Sequence, residues 1–307
     1  MTDLTAMIRI AWNEQYAHRL PPGHRFPMEK YELIPAQLQH EGTFGPAHFF
    51  SPTPLTADEV LQGHDPGYWA KLKALALTRQ EERRTGFPLT AALVEREVAI
   101  NGGTLQCARY ALAGGGVALN VAGGTHHAFA DRGEGFCLLN DLALTAKILL
   151  AEGRVRQVLI VDLDVHQGNG TAAMCASDPG VFTFSMHGAS NYPMHKETSD
   201  LDVPLPDGCD DATYLAALDN HLPRLIDDLA PDLVLYQCGV DVLATDKLGR
   251  LGLTRAGCLR RDEEVLGRCH RAGIPVVCAM GGGYSPEIRH IIEAHCGTFR
   301  TAAGLWG

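Results

Sequence analysis

Five short apolar runs punctuate the chain: Val117–Val121, Val158–Asp162, Val181–Phe184, Leu233–Tyr236 and Pro275–Met280. Each is almost continuously hydrophobic, the pattern of strands covered on both faces. Between most of them, apolar residues return at helical spacing over Asn140–Glu152, Ala212–Leu229 and Cys258–Ala272. Upstream, Leu89–Leu112 reads as one long helix with Gly102-Gly103 as a weak point inside it. Strands alternating with helices predict a parallel α/β sheet with helices on both faces. Residues 1–54, rich in Pro, His and aromatics, read as irregular. No repeat, low-complexity block or linker interrupts the pattern, so it predicts one domain over residues 1–307.

In parallel α/β sheets, ligands bind beyond the carboxyl ends of the strands. The residues just past each run are therefore informative. The first run leads into Gly-Gly-Thr-His126-His127, and the second ends in Asp162-Leu-Asp164-Val-His166-Gln-Gly-Asn169-Gly. The third continues into Ser185-Met186-His187, the fourth into Gln237-Cys-Gly-Val-Asp241 and the fifth into Gly-Gly-Gly-Tyr284. Five strands thus deliver polar groups to one sheet edge.

Asp162, Asp164 and His166 are spaced by two, so an extended chain points them to one face. A carboxylate and an imidazole there can share a divalent cation, with Asp241 as a third ligand. Three protein ligands and an open position is the layout of a catalytic zinc site. The plainer alternative is that Asp164 and His166 only cap loops and helices. Adjacent imidazoles at a strand end suit proton transfer: one His takes a proton from water and the other supplies one to a leaving amine. Asp162 and Asn169 are candidates to fix their tautomers. The Tyr284 hydroxyl is suited to donate to a developing oxyanion; by itself it reads equally as a core tyrosine.

Some motif look-alikes drop out. Gly168-Asn-Gly170-Thr-Ala-Ala173 fits a dinucleotide fingerprint, but the polar run after the strand intervenes and would crowd a pyrophosphate. His290 and His295 stand five apart and do not share a helix face. There is no Walker A sequence and no G-x-S-x-G.

Composition narrows the class further. The 307 residues are 46% hydrophobic and 20% charged, enough for a substantial core. The net charge of −10 argues against nucleic acid and anionic membranes as partners. No apolar run approaches the roughly 18 residues of a membrane span, and the N-terminus has no signal-peptide pattern. Nine cysteines, an odd number without C-x-x-C, read as reduced thiols, which predicts a cytoplasmic protein.

Taken together, Gly-Thr-His126-His127, Gly-Phe136-Cys-Leu-Leu-Asn140-Asp, Asp162-Leu-Asp164-Val-His166-Gln-Gly-Asn169-Gly, Gly-Val-Asp241 and Gly-Gly-Gly-Tyr284 resemble the histone deacetylase family, in family order from about Gly102 to Pro286. His64-Asp-Pro-Gly-Tyr68 extends the match upstream. Arg25-Phe-Pro-Met-Glu-Lys-Tyr31 and Asp246-Lys-Leu-Gly-Arg-Leu251 are most similar to its class IV branch and bacterial relatives.

The resemblance implies the arginase/deacetylase fold, a central, mainly parallel eight-stranded sheet flanked by helices. It implies Asp164, His166 and Asp241 as zinc ligands, with Fe²⁺ as an alternative for so hard a donor set. It makes His126 and His127 the general acid/base pair, Asp162 and Asn169 their partners, and Tyr284 the carbonyl-polarising group. Phe136 matches one wall of the acyl-lysine tunnel and Tyr192 is the candidate for the other. Asp162, Asp164, His166, Ser185 and Met186 would bind a structural K⁺. Where class I members carry Asp, Asn169 is neutral. Leu248 occupies the gatekeeper position that is acidic in polyamine-selective relatives.

The expected activity is zinc-dependent hydrolysis of an N-acyl-lysine in a protein or peptide, or of a small acylated amine. An acetylpolyamine amidohydrolase and a non-catalytic metal-binding protein are the alternatives. A two-manganese ureohydrolase would need D-A-H-x-D and D-x-D-x-x-D strings that this chain lacks. Acyl length and oligomeric state stay open.

Overall fold

A computed structural model describes residues 7–307. Eight strands form one sheet: β1 (Arg9–Ala11), β2 (Phe49–Phe50), β3 (Val117–Asn120), β4 (Val158–Asp162), β5 (Val181–Gly188), β6 (Leu201–Leu205), β7 (Leu233–Gln237) and β8 (Val276–Ala279). Their spatial order is β2-β1-β3-β8-β7-β4-β5-β6, and every pairing is parallel. Ten helices flank it: α1 (Lys30–His40), α2 (Ala57–Val60), α3 (Pro66–Lys73), α4 (Arg79–Thr85), α5 (Ala91–Tyr110), α6 (Asp141–Ala151), α7 (Asn169–Cys175), α8 (Asp211–Leu229), α9 (Arg255–Ala272) and α10 (Ile288–Trp306).

Every residue of the central strands β3, β8, β7 and β4 is buried, which is why their sequences are unbroken apolar runs. These four neighbours carry the His pair, the glycine loop, Asp241 and the Asp-x-Asp-x-His string at their carboxyl ends. All five runs read as strands are strands; Val158–Asp162 matches β4 at both ends, and no end is shifted by more than four residues.

The reading of residues 1–54 as irregular needs correcting. They contain β1, β2 and α1. The two strands are three and two residues long, too short to show a period. In α1, Tyr31, Ile34, Pro35 and Leu38 have helical spacing and are buried, but Pro35 reads as a breaker. Pro35 has no N–H for the Tyr31 carbonyl, and Trp12 Nε1 donates to that carbonyl instead, at 2.7 Å. The edge strand β6 went unseen for a similar reason, since it contains Pro204, which an edge tolerates.

Gly102-Gly103 is no weak point. Helix α5 runs straight through it. A Cβ on Gly102 would stand 2.1 Å from the Thr53 carbonyl oxygen, and one on Gly103 would stand 2.4 Å from the Tyr16 hydroxyl. Gly102 lets the helix pack directly on the Thr53 backbone, and Gly103 lets it close on the Tyr16 and Asn120 side chains. All nine cysteines are buried and unpaired. Among the described residues, no helix is long and apolar enough to cross a membrane.

Candidate active site

The loop after β3 is fixed by one carboxylate. Asp141, buried in the first turn of α6, accepts from Thr125 N and Thr125 Oγ1 (both 2.8 Å), from Gly124 N (3.1 Å) and from Thr104 Oγ1 (2.6 Å). This holds the next two residues in place. His126 and His127 are 3% and 5% exposed, with ring centroids 4.1 Å apart. His126 Nδ1 donates to Asp162 Oδ2 and His127 Nδ1 donates to Asn169 Oδ1, each at 2.6 Å. Both rings therefore keep Nε2 for other chemistry. Their electrostatics diverge. Burial works against a charged His126, but Asp162 and Asp164 outweigh it and raise its pKa to about 9. Burial, reinforced by His126 and His166, pushes His127 well below the usual imidazole range.

Asp164, His166 and Asp241 are brought together. One ligand atom from each lies within 4.8 Å of the others, and all three are buried. Asp164 Oδ2 accepts from Gln237 Nε2 and Gly282 N, both at 3.0 Å, and its Oδ1 accepts from His166 N at 3.0 Å. Asp241 Oδ1 accepts from Val165 N at 3.0 Å. Asp241 Oδ2 lies 3.2 Å from His166 Nδ1 but has no hydrogen-bond partner among the described residues. Burial and the neighbouring Asp164 push the Asp241 carboxyl up to about 7. A buried oxygen without a partner, beside a second carboxylate and an imidazole, is a donor set that fits a divalent cation.

The glycine loop closes on this centre. Gly281 has φ 68°, and a Cβ there would meet Gln237 Oε1 at 1.9 Å; one on Gly282 would meet Asp241 Oδ2 at 2.1 Å. The backbone can approach the carboxylates only because side chains are missing. Tyr284, at the loop's end, is half-buried against Phe26 and Phe136, with ring centroids 5.9 and 5.8 Å away. Burial, with Asp241 and Asp164 nearby, keeps its phenol protonated, hence a donor.

Above the floor formed by His127, His166 and Tyr284 opens a cleft of about 440 Å³. Phe136, Tyr192 and Leu248 line it. Phe136 holds a left-handed backbone (φ 68°), unusual for a bulky residue, and its N–H donates to the Thr85 carbonyl at 2.7 Å. Tyr192 lies edge-on to His127 at 5.0 Å, and its hydroxyl donates to Glu134 at 2.7 Å. The loop that carries Tyr192 thus sets an aromatic ring beside the floor. Beneath the floor lies an inner chamber of about 40 Å³, reaching Arg96. Ser185 is the register partner of Asp162 across β4 and β5, and its hydroxyl bonds His187 Nδ1 at 3.0 Å; Met186 is buried beside it.

Several supporting residues escaped sequence reasoning. Asp246 accepts from Leu248 N (2.8 Å), Gly249 N (2.9 Å) and Tyr284 N (2.6 Å), so one carboxylate positions both Leu248 and Tyr284. Its local turn was readable from Asp-Lys-Leu-Gly; its reach to Tyr284 was not. Lys30, within the Arg25–Tyr31 stretch, is fully buried and donates to the Gly281 carbonyl at 2.9 Å, a reach that the sequence does not show. Arg261, buried in α9 and paired with Asp262, donates to the Leu163 (3.2 Å), Gly239 (2.6 Å) and Cys238 (3.3 Å) carbonyls, tying together the exits of β4 and β7.

Comparison with known proteins places this arrangement. Residues 24–299 match the histone deacetylase domain. The chain belongs to the histone deacetylase family. It is 42% identical over 297 residues to an uncharacterized protein of Picosynechococcus, covering 97% of this chain and 99% of that one. It is 30% identical over 278 residues to histone deacetylase 2 of Arabidopsis thaliana, covering 88% and 72%. Two solved structures share the fold. An HDAC homolog complexed with SAHA superposes with a TM-score of 0.84 at 24% identity, covering 97% of this chain and 84% of that one. Acetylpolyamine aminohydrolase from Burkholderia pseudomallei superposes with a TM-score of 0.81 at 20% identity, covering 97% and 99%. Family membership makes the chain a deacetylase-type hydrolase of this metal-dependent family.

Proposed function

We propose that this protein is a zinc-dependent deacylase that hydrolyses an N-acyl-lysine, or a related acylated amine, to a carboxylate and a free amine. The observation carrying the reading is the pairing of two adjacent histidines with unlike partners, a carboxylate and an amide, beside the Asp164–His166–Asp241 donor set. Those three residues would hold zinc, which polarises the amide carbonyl and acidifies water when bound. His127, kept neutral, takes the proton of the attacking water at Nε2, because Nδ1–H is committed to Asn169. Tyr284 donates its O–H to the carbonyl oxygen as charge develops there. A protonated histidine then delivers a proton to the departing nitrogen. His126, held charged by Asp162, adds positive potential next to His127. Phe136 and Tyr192 flank the acyl-lysine stem, and Leu248 guards the mouth. Asp162, Asp164, His166, Ser185 and Met186 remain the proposed K⁺ position; the β4–β5 pairing of Asp162 with Ser185 supports it.

A panel of acetyl-, trifluoroacetyl- and long-chain acyl-lysine peptides, with acetylpolyamines alongside, tests this on zinc-loaded protein. Conversion of the acyl-lysine in at least one peptide to unmodified lysine, with release of the carboxylate, is the expected result. Cleavage of acetylpolyamines alone would move the assignment to that alternative. Stoichiometric zinc without turnover of any acylated amine would leave a binding protein.

A further inference from the structure

The mouth of the cleft is basic although the chain carries a net charge of −10. Arg25, Arg83 and Arg84 line it, all three exposed, and among the described residues no carboxylate does. The Arg25 guanidinium lies over the Phe136 ring, 5.1 Å from its centroid. Arg84 Nε stands 3.9 Å from Glu134 Oε1, and that carboxylate already accepts from Arg132 Nε (2.9 Å) and the Tyr192 hydroxyl (2.7 Å). Three further acids, on α4 and the Leu248 loop, have partners of their own. Glu82 accepts from Leu89 N at 3.0 Å, Glu81 pairs with Lys71 at 2.8 Å, and Asp246 holds three backbone N–H groups.

A purely local role explains part of this. Arg83 and Arg84 sit in the last turn of α4, where cations complement the helix dipole. It does not explain Arg25, which comes from a segment some 58 residues earlier. Nor does it explain why both segments are fastened to the tunnel wall. The Arg84 carbonyl accepts from Gly135 N at 3.0 Å, the Thr85 carbonyl accepts from Phe136 N at 2.7 Å, and the Gly86 carbonyl bonds His24 Nε2 at 2.8 Å. Two distant pieces of chain are held so that three guanidinium groups stand at the entrance.

Building on the deacylase reading, we infer that the mouth selects acyl-lysines carried in acidic stretches of a protein, with Asp or Glu flanking the acylated residue. A guanidinium offers a carboxylate paired, planar donors. Charges more than about 8 Å away are largely screened at physiological salt, so an approaching chain senses the rim rather than the distant negative surface. A basic tail or a polyamine, cationic along its length, meets like charge here, and Leu248 offers it no acid.

The test uses the zinc-loaded full chain and peptides of equal length with one central acetyl-lysine, flanked by Asp/Glu, by Ser/Gly or by Lys/Arg. N1-acetylspermidine and free Nε-acetyl-lysine are included. Binding is read by fluorescence anisotropy and turnover by amine release. The acidic peptide should have the highest kcat/KM, through KM, and lose most of that advantage between 50 and 500 mM salt. Arg83→Glu with Arg84→Glu should invert the acidic-to-basic preference, a change of about 10-fold or more, as expected for a few exposed ion pairs. Arg83→Gln with Arg84→Gln should fall between, and Arg25→Gln should act in the same direction; these cover the case of a reversed pair that does not fold. A wild-type preference for the neutral or basic peptide, or an acidic preference indifferent to salt, overturns the inference. Free acetyl-lysine equalling the acidic peptide overturns the commitment to a protein segment. Preferential binding of the acidic peptide without cleavage keeps the mouth and rejects the deacylase reading; cleavage without that preference does the reverse.

Discussion

The floor of the cleft and its mouth are built on different principles. On the floor, Asp162, Asp164, Asp241, His126, His127 and His166 are all buried, and each is fixed by a strand end or by another polar side chain. The mouth is made of exposed arginines and a half-buried leucine on loops and a short helix end. Changes on the floor should therefore alter whether the reaction occurs. Changes at the mouth should alter only which molecule reacts.

The harshest way to break the floor is to remove a ligand. Asp164→Ala, His166→Ala or Asp241→Ala should each abolish metal retention and lower turnover by about 10³-fold or more, since carbonyl polarisation by a metal supplies several kcal/mol. Metal analysis beside initial rates checks it; full zinc stoichiometry and rate in any one variant removes that residue from the set.

Next come the histidines. His127→Ala should cost about 10²–10⁴-fold in kcat, the usual range for a general base. His126→Ala should cost less, because that ring acts through its charge. Parallel kinetics of the two variants decide, and a deadlier His126→Ala would reverse the assignment. Tyr284→Phe removes one oxyanion donor and keeps the ring, so kcat should fall about 10²–10³-fold with metal content unchanged.

The smallest and sharpest change is Asn169→Asp. A base works only unprotonated, so kcat/KM falls below the pKa of His127. A carboxylate 2.6 Å from Nδ1 stabilises the protonated ring and raises that pKa. The acidic limb of the pH profile should move upward by about one unit, and an unmoved limb would detach His127 from it.

Legibility in the sequence divides along the same line. The central strands announce themselves as apolar runs because both faces are buried, and their polar exits come directly after. The α/β sheet and the clustering of the His pair with Asp164, His166 and Asp241 were legible for that reason. Residues 1–54 were not, because β1 and β2 are shorter than any period and Pro35 masks α1. Contacts that depend on tertiary closure left no local trace: Asp246 reaching Tyr284 across 38 residues, Lys30 reaching Gly281, Trp12 serving the Tyr31 carbonyl. The basic mouth also needed the fold, since Arg25 and Arg83-Arg84 meet only when the Phe136 loop fastens to the end of α4.

The central claim is that this chain uses a metal held by Asp164, His166 and Asp241 to hydrolyse an acyl-lysine amide. Turnover of an acetyl- or longer acyl-lysine peptide by chelator-stripped protein, before and during titration with zinc, tests it most directly. The account requires negligible turnover in the stripped protein and recovery that saturates near one zinc per chain. Undiminished turnover after stripping, or full zinc loading with every acyl-lysine peptide left intact, would contradict it.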